Sequence, residues 1–294
     1  MSTPTSQLPF ATVAVLGPGL LGGSVAMAVR KHMPGCRLSL WARRKEPLEQ
    51  AASMGIAQLT TLDAREAVQG AQLVILATPI GTFPKLVQSI LPALAPDALV
   101  TDVGSVKGSV HTTAGQLLTK SGHYFIGSHP MAGAEKQGLE HARAELLQGA
   151  TVALTNEHGA PEALLGRLAQ FWQALGCTTR AMTAPCHDET VARISHVPHI
   201  LAALCARVAV QGHCPTEDLR CLASGGFRDT TRVSSGGPAM WADILCSNAP
   251  AIRAALAQSI ADLQQIERLL EEQDEQAICS WLKQAKDARE SVQG

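Results

Sequence analysis

Residues 11–24 read ATVAVLGPGLLGGS, an apolar run ending in three spaced glycines. Ala11–Leu16 has the continuous apolar character of a strand buried on both faces, and Leu20–His32 has helical periodicity. Between them, Gly17 permits a tight turn and Gly19 removes a side chain where a pyrophosphate approaches the backbone. Gly22 lets the helix pack closely on the strand. A strand, a G-x-G-x-x-G turn and a helix, in that order, predict a dinucleotide site. Its phosphates face the N–H groups of the helix N-terminus, at Gly17, Gly19, Leu20, Leu21 and Gly22, with Ser24 placed to donate a further bond.

The alternation continues along the chain. Apolar runs at Leu38–Ala42, Leu73–Ala77, Leu99–Val103, Phe125–Ser128 and Thr151–Thr155 predict strands. Helical patterns at Glu46–Met54, Thr82–Leu94, Gly108–Leu118 and Glu162–Gly176 lie between or after them. Alternating strands and helices build a parallel sheet covered on both faces, so residues 1–182 are expected to form a Rossmann-like, doubly wound α/β domain. After residue 183 the period is helical throughout: His187–Gln211, Thr216–Ala223, Pro238–Asn248 and one long run from Ala249 to Arg289. Residues 183–294 are therefore expected to be an all-α domain. Its helices carry more apolar surface than so small a domain needs, which points to a homodimer formed through the C-terminal helices.

At 294 residues, two domains each have enough chain for a core. The composition, 46% hydrophobic and 17% charged, excludes a disordered chain. With one Tyr, five Phe and four Trp, the cores must rest on Ala, Leu, Val and Ile. A net charge of −1 without a basic stripe argues against a nucleic-acid partner. The eight cysteines include no C-x-x-C pair, so they read as reduced thiols, and no metal site is expected. The N-terminal MSTPTSQLPF has neither a charged leader nor an apolar signal core, and no 18-residue apolar stretch occurs. These features predict a cytoplasmic protein without a membrane partner.

Cofactor choice is written at the end of the second strand, where NAD sites place a carboxylate on the ribose hydroxyls. Here Ala42 holds that position and Arg43 and Arg44 follow it. Guanidiniums pair with a 2′-phosphate that a carboxylate would repel, so NADP is favoured over NAD.

Further polar segments end the later strands: Ala77-Thr78-Pro79-Ile80, then TDVGSVK (101–107), then GSHPMAGAE (127–135). The helical half adds SHVPH (195–199) and GGFRDTTR (225–232), with Trp241 nine residues later. Glycines among polar residues in both halves suggest a cleft lined from two sides. This set, in this order and over almost the whole chain, resembles the prephenate/arogenate dehydrogenases of tyrosine biosynthesis, in particular their short, monofunctional members. The resemblance implies oxidative decarboxylation of a cyclohexadiene that carries a ring hydroxyl and a ring carboxylate. Hydride passes to a nicotinamide, and aromatisation drives the step.

Roles follow from the resemblance. His129 corresponds to the catalytic histidine that accepts the hydroxyl proton, and Ser105 to the serine that bonds the hydroxyl or orients that histidine. Arg232 corresponds to the clamp on the ring carboxylate, with Asp229 orienting it. Of His196 and His199, one contacts the substrate side chain and the other is a structural hydrogen bonder. Glu135 closes the mouth of the site, pairs across the halves, or is a solvated loop charge. Thr78 and Pro79 border the cofactor. Lys107 either reaches a cofactor phosphate or closes the strand end, and Trp241 belongs to the core. Ala134 and Gly236 depart from the larger or polar residues of some members, which leaves the keto or amino side chain of the substrate open. Two other readings share the fold. A β-hydroxyacid dehydrogenase would rely on a lysine in the helical half, which has only Lys283 and Lys286. A non-catalytic NADP sensor would have lost His129 or Arg232, and both are present.

Overall fold

The computed structural model describes residues 8–134 and 136–293, so Glu135 lies outside the described residues. One compact unit ends at Asn248 and a second begins at Ala249.

In the first unit, β1 (Thr12–Leu16), β2 (Arg37–Trp41), β3 (Leu59–Thr61), β4 (Leu73–Leu76), β5 (Leu99–Asp102) and β6 (Tyr124–Phe125) form one sheet in the order β3-β2-β1-β4-β5-β6. Every pairing is parallel. The strand order reverses between β1 and β4, and open α/β sheets take ligands at the carboxyl ends beside such a reversal. Residues alternate between faces along each strand. Val13, Val15, Leu73 and Ile75 join Val25, Val29 and Trp172 in one core, while Ala14, Leu16, Val74 and Leu76 join Phe83, Val87 and Phe125 in the other. The first core includes α1 (Leu20–His32) and part of α2 (Lys45–Ser53); the second takes in α3 (Ala64–Val68) and α4 (Phe83–Ile90). After β5, α5 (Gly108–Val110) continues through a π-helical turn, His111–Gly115, into α6 (Gln116–Lys120).

The strand expected over Phe125–Ser128 is divided between two sheets. β6 stops at Phe125, and β7 (Gly127–Pro130) opens a second sheet with β8 (Thr151–Thr155) and β9 (Thr178–Ala181). β7 pairs antiparallel with β8, and β8 parallel with β9. Side chains turn the chain at this point. Asp102 Oδ1 accepts from Ser128 N at 3.1 Å, and Ser128 Oγ bonds Thr101 Oγ1 at 2.7 Å and Trp172 Nε1 of α7 (Glu162–Ala174) at 3.1 Å. β3, β9 and α3 were not foreseen, since LTT, TTRA and AREAV are too short and polar to show a period.

Helices follow: α8 (Ala184–Val191), a π-helical turn at Ala192–His196, α9 (Val197–Ala209), α10 (Thr216–Leu222), α11 (Gly225–Thr231), a 3-10 turn at Arg232–Ser235 and α12 (Pro238–Ser247). The single helix expected over His187–Gln211 is interrupted because Pro198 has no N–H for the carbonyl four residues back. The glycine-rich segment 225–232, which lies between the expected helices, forms α11 and the start of the 3-10 turn.

The second unit holds α13 (Ala249–Glu271) and α14 (Glu275–Gln293), two helices where one run was expected. They part at Gln273, whose φ is 53°, and Asp274 starts the new helix by accepting from Ala277 N at 2.9 Å. Among the described residues no helix is long and apolar enough to cross a membrane.

Candidate active site

The glycine turn is fixed by contacts that leave no room for side chains. Gly17 has φ +112°, and its N–H bonds Trp41 O at 2.9 Å. A Cβ on Gly22 would lie 2.1 Å from Gly17 O, so only glycine lets α1 start there. A Cβ on Gly19 would meet nothing within 4 Å, which makes Gly19 the open point of the turn. Open backbone at a helix N-terminus suits a pyrophosphate, so these residues fit the dinucleotide. Ser24 departs from the expectation. It is fully buried and accepts from Arg143 N at 3.1 Å, so it serves packing rather than phosphate. Beside the turn, Thr78 Oγ1 bonds Thr82 Oγ1 at 2.7 Å, and Pro79 is exposed. At the end of β2, Ala42 is buried while Arg43 and Arg44 are exposed.

His129 lies on β7, 8% exposed, one residue past the bend at Ser128. Its Nδ1 is 2.8 Å from His187 Nε2, and His187 Nδ1 is 2.8 Å from Asp188 Oδ1. Asp188 also accepts from Lys107 N and Gly108 N, both at 2.8 Å. Burial works against its charge, but the bonds from His187 and from the two amides outweigh it and hold its carboxyl below the usual range. An ionised Asp188 can only accept, which assigns every proton in the row. His187 carries its proton on Nδ1 and accepts at Nε2; His129 then donates from Nδ1 and keeps Nε2 bare. Burial, followed by the nearby His187 and Lys107, pushes the His129 pKa well below its ordinary value. His129 is thus a neutral imidazole with an open basic nitrogen.

The same carboxylate organises the β5–α5 loop. Its two amide donors begin the helical stretch that α5 opens, so Asp188 caps a helix from elsewhere in the chain. A Cβ on Gly108 would stand 2.8 Å from Asp188 Oδ2. Ser105, half-buried, belongs to this loop; among the described residues its hydroxyl makes no hydrogen bond. Beneath it Lys107 is fully buried and bonded to Asp102 Oδ2 and to Ser128 O at 2.8 Å, so it does not reach a cofactor phosphate. Burial raises the Asp102 pKa and lowers that of Lys107. Asp102 nonetheless accepts from Lys107, Gly104 N and Ser128 N, the environment of a carboxylate.

The helical half contributes a second histidine group. His199, 7% exposed, stacks on Trp241 with ring centroids 3.5 Å apart and planes 11° apart. Its Nδ1 is buried without a hydrogen-bond partner among the described residues, and burial lowers its pKa. His196, 1% exposed, sits edge-on to Trp241, with Nδ1 3.2 Å from Asn248 Nδ2. Asn248 also donates to Asp188 O at 2.9 Å, which ties this group to the relay. Burial first, and His187 in addition, takes His196 down to about 4. Arg232 is exposed where α11 passes into the 3-10 turn, and Asp229 is exposed on α11.

Two family models match in succession. "Prephenate dehydrogenase, nucleotide-binding domain" covers residues 25–180, and "Prephenate dehydrogenase, dimerization domain" covers residues 183–284. The chain belongs to the prephenate dehydrogenase family. The cyclohexadienyl dehydrogenase of Zymomonas mobilis is 32% identical over 95% of both chains, and the prephenate dehydrogenase of Bacillus subtilis is 32% identical over 96% of this chain and 76% of its own. Among solved structures, the prephenate dehydrogenase of A. aeolicus in complex with hydroxyphenyl propionate and NAD+ superposes with a TM-score of 0.89. It is 28% identical and covers 99% of this chain and 100% of its own. Synechocystis arogenate dehydrogenase gives 0.81 at 30% identity, covering 96% and 99%. A 3-hydroxyisobutyrate dehydrogenase at 16% identity and TM-score 0.55 shares the fold alone. As a member of this family the chain is a nicotinamide-dependent oxidoreductase.

Three residues that hold this candidate site together were not identified from the sequence: His187, Asp188 and Asn248. An adjacent His–Asp pair opening a helix was the available signal, but its pairing with His129, 58 residues away, appears only in the fold.

Proposed function

We propose that the protein oxidises prephenate, arogenate or both, with decarboxylation, to 4-hydroxyphenylpyruvate and tyrosine respectively, as a step of tyrosine biosynthesis. The observation that carries this reading is the His129–His187–Asp188 row in a unit that also holds the dinucleotide turn. It supplies a bare imidazole nitrogen at the C-terminal end of a Rossmann sheet, which oxidation of an alcohol requires.

Residues 1–182 hold the cofactor in this reading, and residues 183–294 the substrate and the dimer contact. Gly17, Gly19, Leu20, Leu21 and Gly22 take the pyrophosphate, with Thr78 and Pro79 alongside. The bound nicotinamide supplies the hydride acceptor. His129 Nε2 takes the ring-hydroxyl proton as the carbinol C–H bond breaks, and the Asp188 charge, acting through His187, stabilises the imidazolium that forms. Ser105 bonds the same hydroxyl. Arg232 pairs with the ring carboxylate and loosens as that group departs as carbon dioxide. His199, held flat by Trp241, offers its unpartnered nitrogen to the substrate side chain, while His196 keeps the structural role through Asn248.

NADP is the favoured cofactor: Ala42 supplies no carboxylate, and two exposed guanidiniums follow. The active form is a homodimer built on the helical half. Exposed Leu204 and Val208 on α9 and Leu222 on α10 support it in one unit, and Ile260, Leu263 and Leu270 on α13 in the other. A cytoplasmic location accords with eight free thiols.

The test is absorbance at 340 nm with purified protein, crossing both substrates with NAD+ and NADP+. Reduction with at least one pair is expected, faster with NADP+. Four flat traces from protein that binds cofactor would overturn the reading.

A further inference from the structure

The side chain of Asp243 has no place in the chemistry above, yet it bridges the two halves of the site. It projects half-buried from α12, and Oδ2 accepts from Gly81 N at 3.2 Å. Gly81 belongs to the turn after β4, the segment that also carries Thr78 and Pro79. A Cβ at Gly81 would stand 2.9 Å from Asp243 Oδ1, so glycine is needed for the carboxylate to reach the amide.

Both ends of this contact lead somewhere. The turn is closed by Thr82 Oγ1, which bonds Thr78 Oγ1 and Pro79 O, each at 2.7 Å. Its base presses on the glycine turn: a Cβ on Gly17 would meet Ala77 O at 2.8 Å and Thr78 Cγ2 at 2.9 Å. Its tip, Ile80, is 8% exposed and shares a core with Ile244 and Trp241 of α12; a Cβ on Gly104 would meet Ile80 Cγ1 at 3.0 Å. In the other direction, Trp241 lies two residues before Asp243 and stacks on His199. Continuous contact thus runs from Gly17 through residues 77–82 to Asp243 and Trp241, and ends at His199.

We propose that Asp243 is a positioning residue that couples cofactor binding to the substrate site, by fixing the Gly81 turn to the helix that carries Trp241. The inference rests on the assignment of residues 77–82 to the cofactor border. When cofactor fills the glycine turn, the 77–82 segment has one seat left to it, and through Asp243 that seat sets the position of Trp241 and His199. Binding of the two ligands should therefore be mutually reinforcing.

The experiment measures hydroxyphenylpropionate affinity by calorimetry, with and without saturating NAD+ or NADP+, in the parent, Asp243→Ala, Gly81→Ala and the double variant. In the parent, cofactor should tighten the analogue. Asp243→Ala should erase most of that enhancement, an effect of about tenfold for a bond to a charged acceptor, while affinity without cofactor and the thermal midpoint stay near parental values. Gly81→Ala should do the same, and the double variant should be no worse than either single one, because both break one contact. An enhancement that survives in Asp243→Ala, or additive losses in the double variant, overturns the coupling. A parent that binds neither nicotinamide cofactor overturns both this inference and the cofactor assignment beneath it.

Discussion

Replacing Asp188 by Asn exchanges one oxygen for an NH2 group in a side chain that accepts three bonds at 2.8 Å, from His187 Nδ1, Lys107 N and Gly108 N. An amide has one accepting oxygen, so in either orientation at least one of those donors faces another donor. The better orientation keeps the oxygen on His187 and Lys107 and orphans Gly108 N, which costs about 1–3 kcal/mol of stability. At roughly 2–4 °C per kcal/mol for a chain of this size, the thermal midpoint should fall by several degrees. The catalytic cost is larger. The imidazolium formed on His129 loses the only carboxylate in its hydrogen-bonded row, and the alternative orientation also inverts the tautomers and protonates His129 Nε2. A loss of about 3–4 kcal/mol from transition-state stabilisation, or ~10²–10³-fold in kcat, is expected. The assay is steady-state turnover at 340 nm, with cofactor affinity measured by fluorescence as the control for folding. A folded Asp188→Asn protein with kcat within about threefold of the parent would refute the relay.

His129→Asn should remove about three or more orders of magnitude from kcat while cofactor still binds, and near-normal turnover would dismiss it as the base. Arg232→Ala should act mainly on substrate KM, raising it by about 10²-fold, and an unchanged KM would argue against a carboxylate clamp. Arg43→Ala with Arg44→Ala should lower kcat/KM for NADP+ by about tenfold and leave NAD+ nearly unaffected; equal losses for both cofactors would withdraw the NADP preference. His129, His111 and His196 are held neutral by burial, the latter two down to about 3 and about 4. The unfolded chain takes up their protons below about pH 6.5, whereas the folded chain does not, so their stabilising effect is complete above that value and is lost as pH falls toward 4. Melting curves between about pH 7.5 and 5 should show a falling midpoint, flatter in His196→Gln, and a constant midpoint would contradict the assigned protonation.

The first strand, the glycine turn and α1 were legible in the sequence because their constraints are local: a few residues must be apolar or must lack a Cβ. β1 and β4 differ from expectation by a single residue at one end. What escaped was non-local. The division at Ile126 depends on Asp102 and Trp172 bonding to Ser128, contacts that span 26 and 44 residues. The break between α13 and α14 lies in EEQDE, which reads as continuous helix until Gln273 takes a left-handed conformation. At the site, His129 stood out within its motif, but the residues that assign its proton are an unremarkable His–Asp step in a helix. Lys107 read either as a phosphate ligand or as closing the strand end, because lysine is rarely buried; its buried bond to Asp102, five residues earlier at the end of β5, favours the second.

The helix cap that Asp188 supplies also bears on synthesis and exchange of parts. Ribosomes deliver residues 1–182 before Asp188 exists, so the nascent nucleotide half carries an uncapped helix at Lys107 and Gly108 and a His129 with no defined tautomer. Such a fragment would bind dinucleotide without being armed for proton abstraction. A chimera that joined this half to the helical half of another dehydrogenase would inherit the same defect unless the incoming segment brought a His–Asp pair in register. The two halves are therefore not interchangeable cassettes, and a recombination point placed at their sequence boundary would part the Asp188 carboxylate from the two amides it caps.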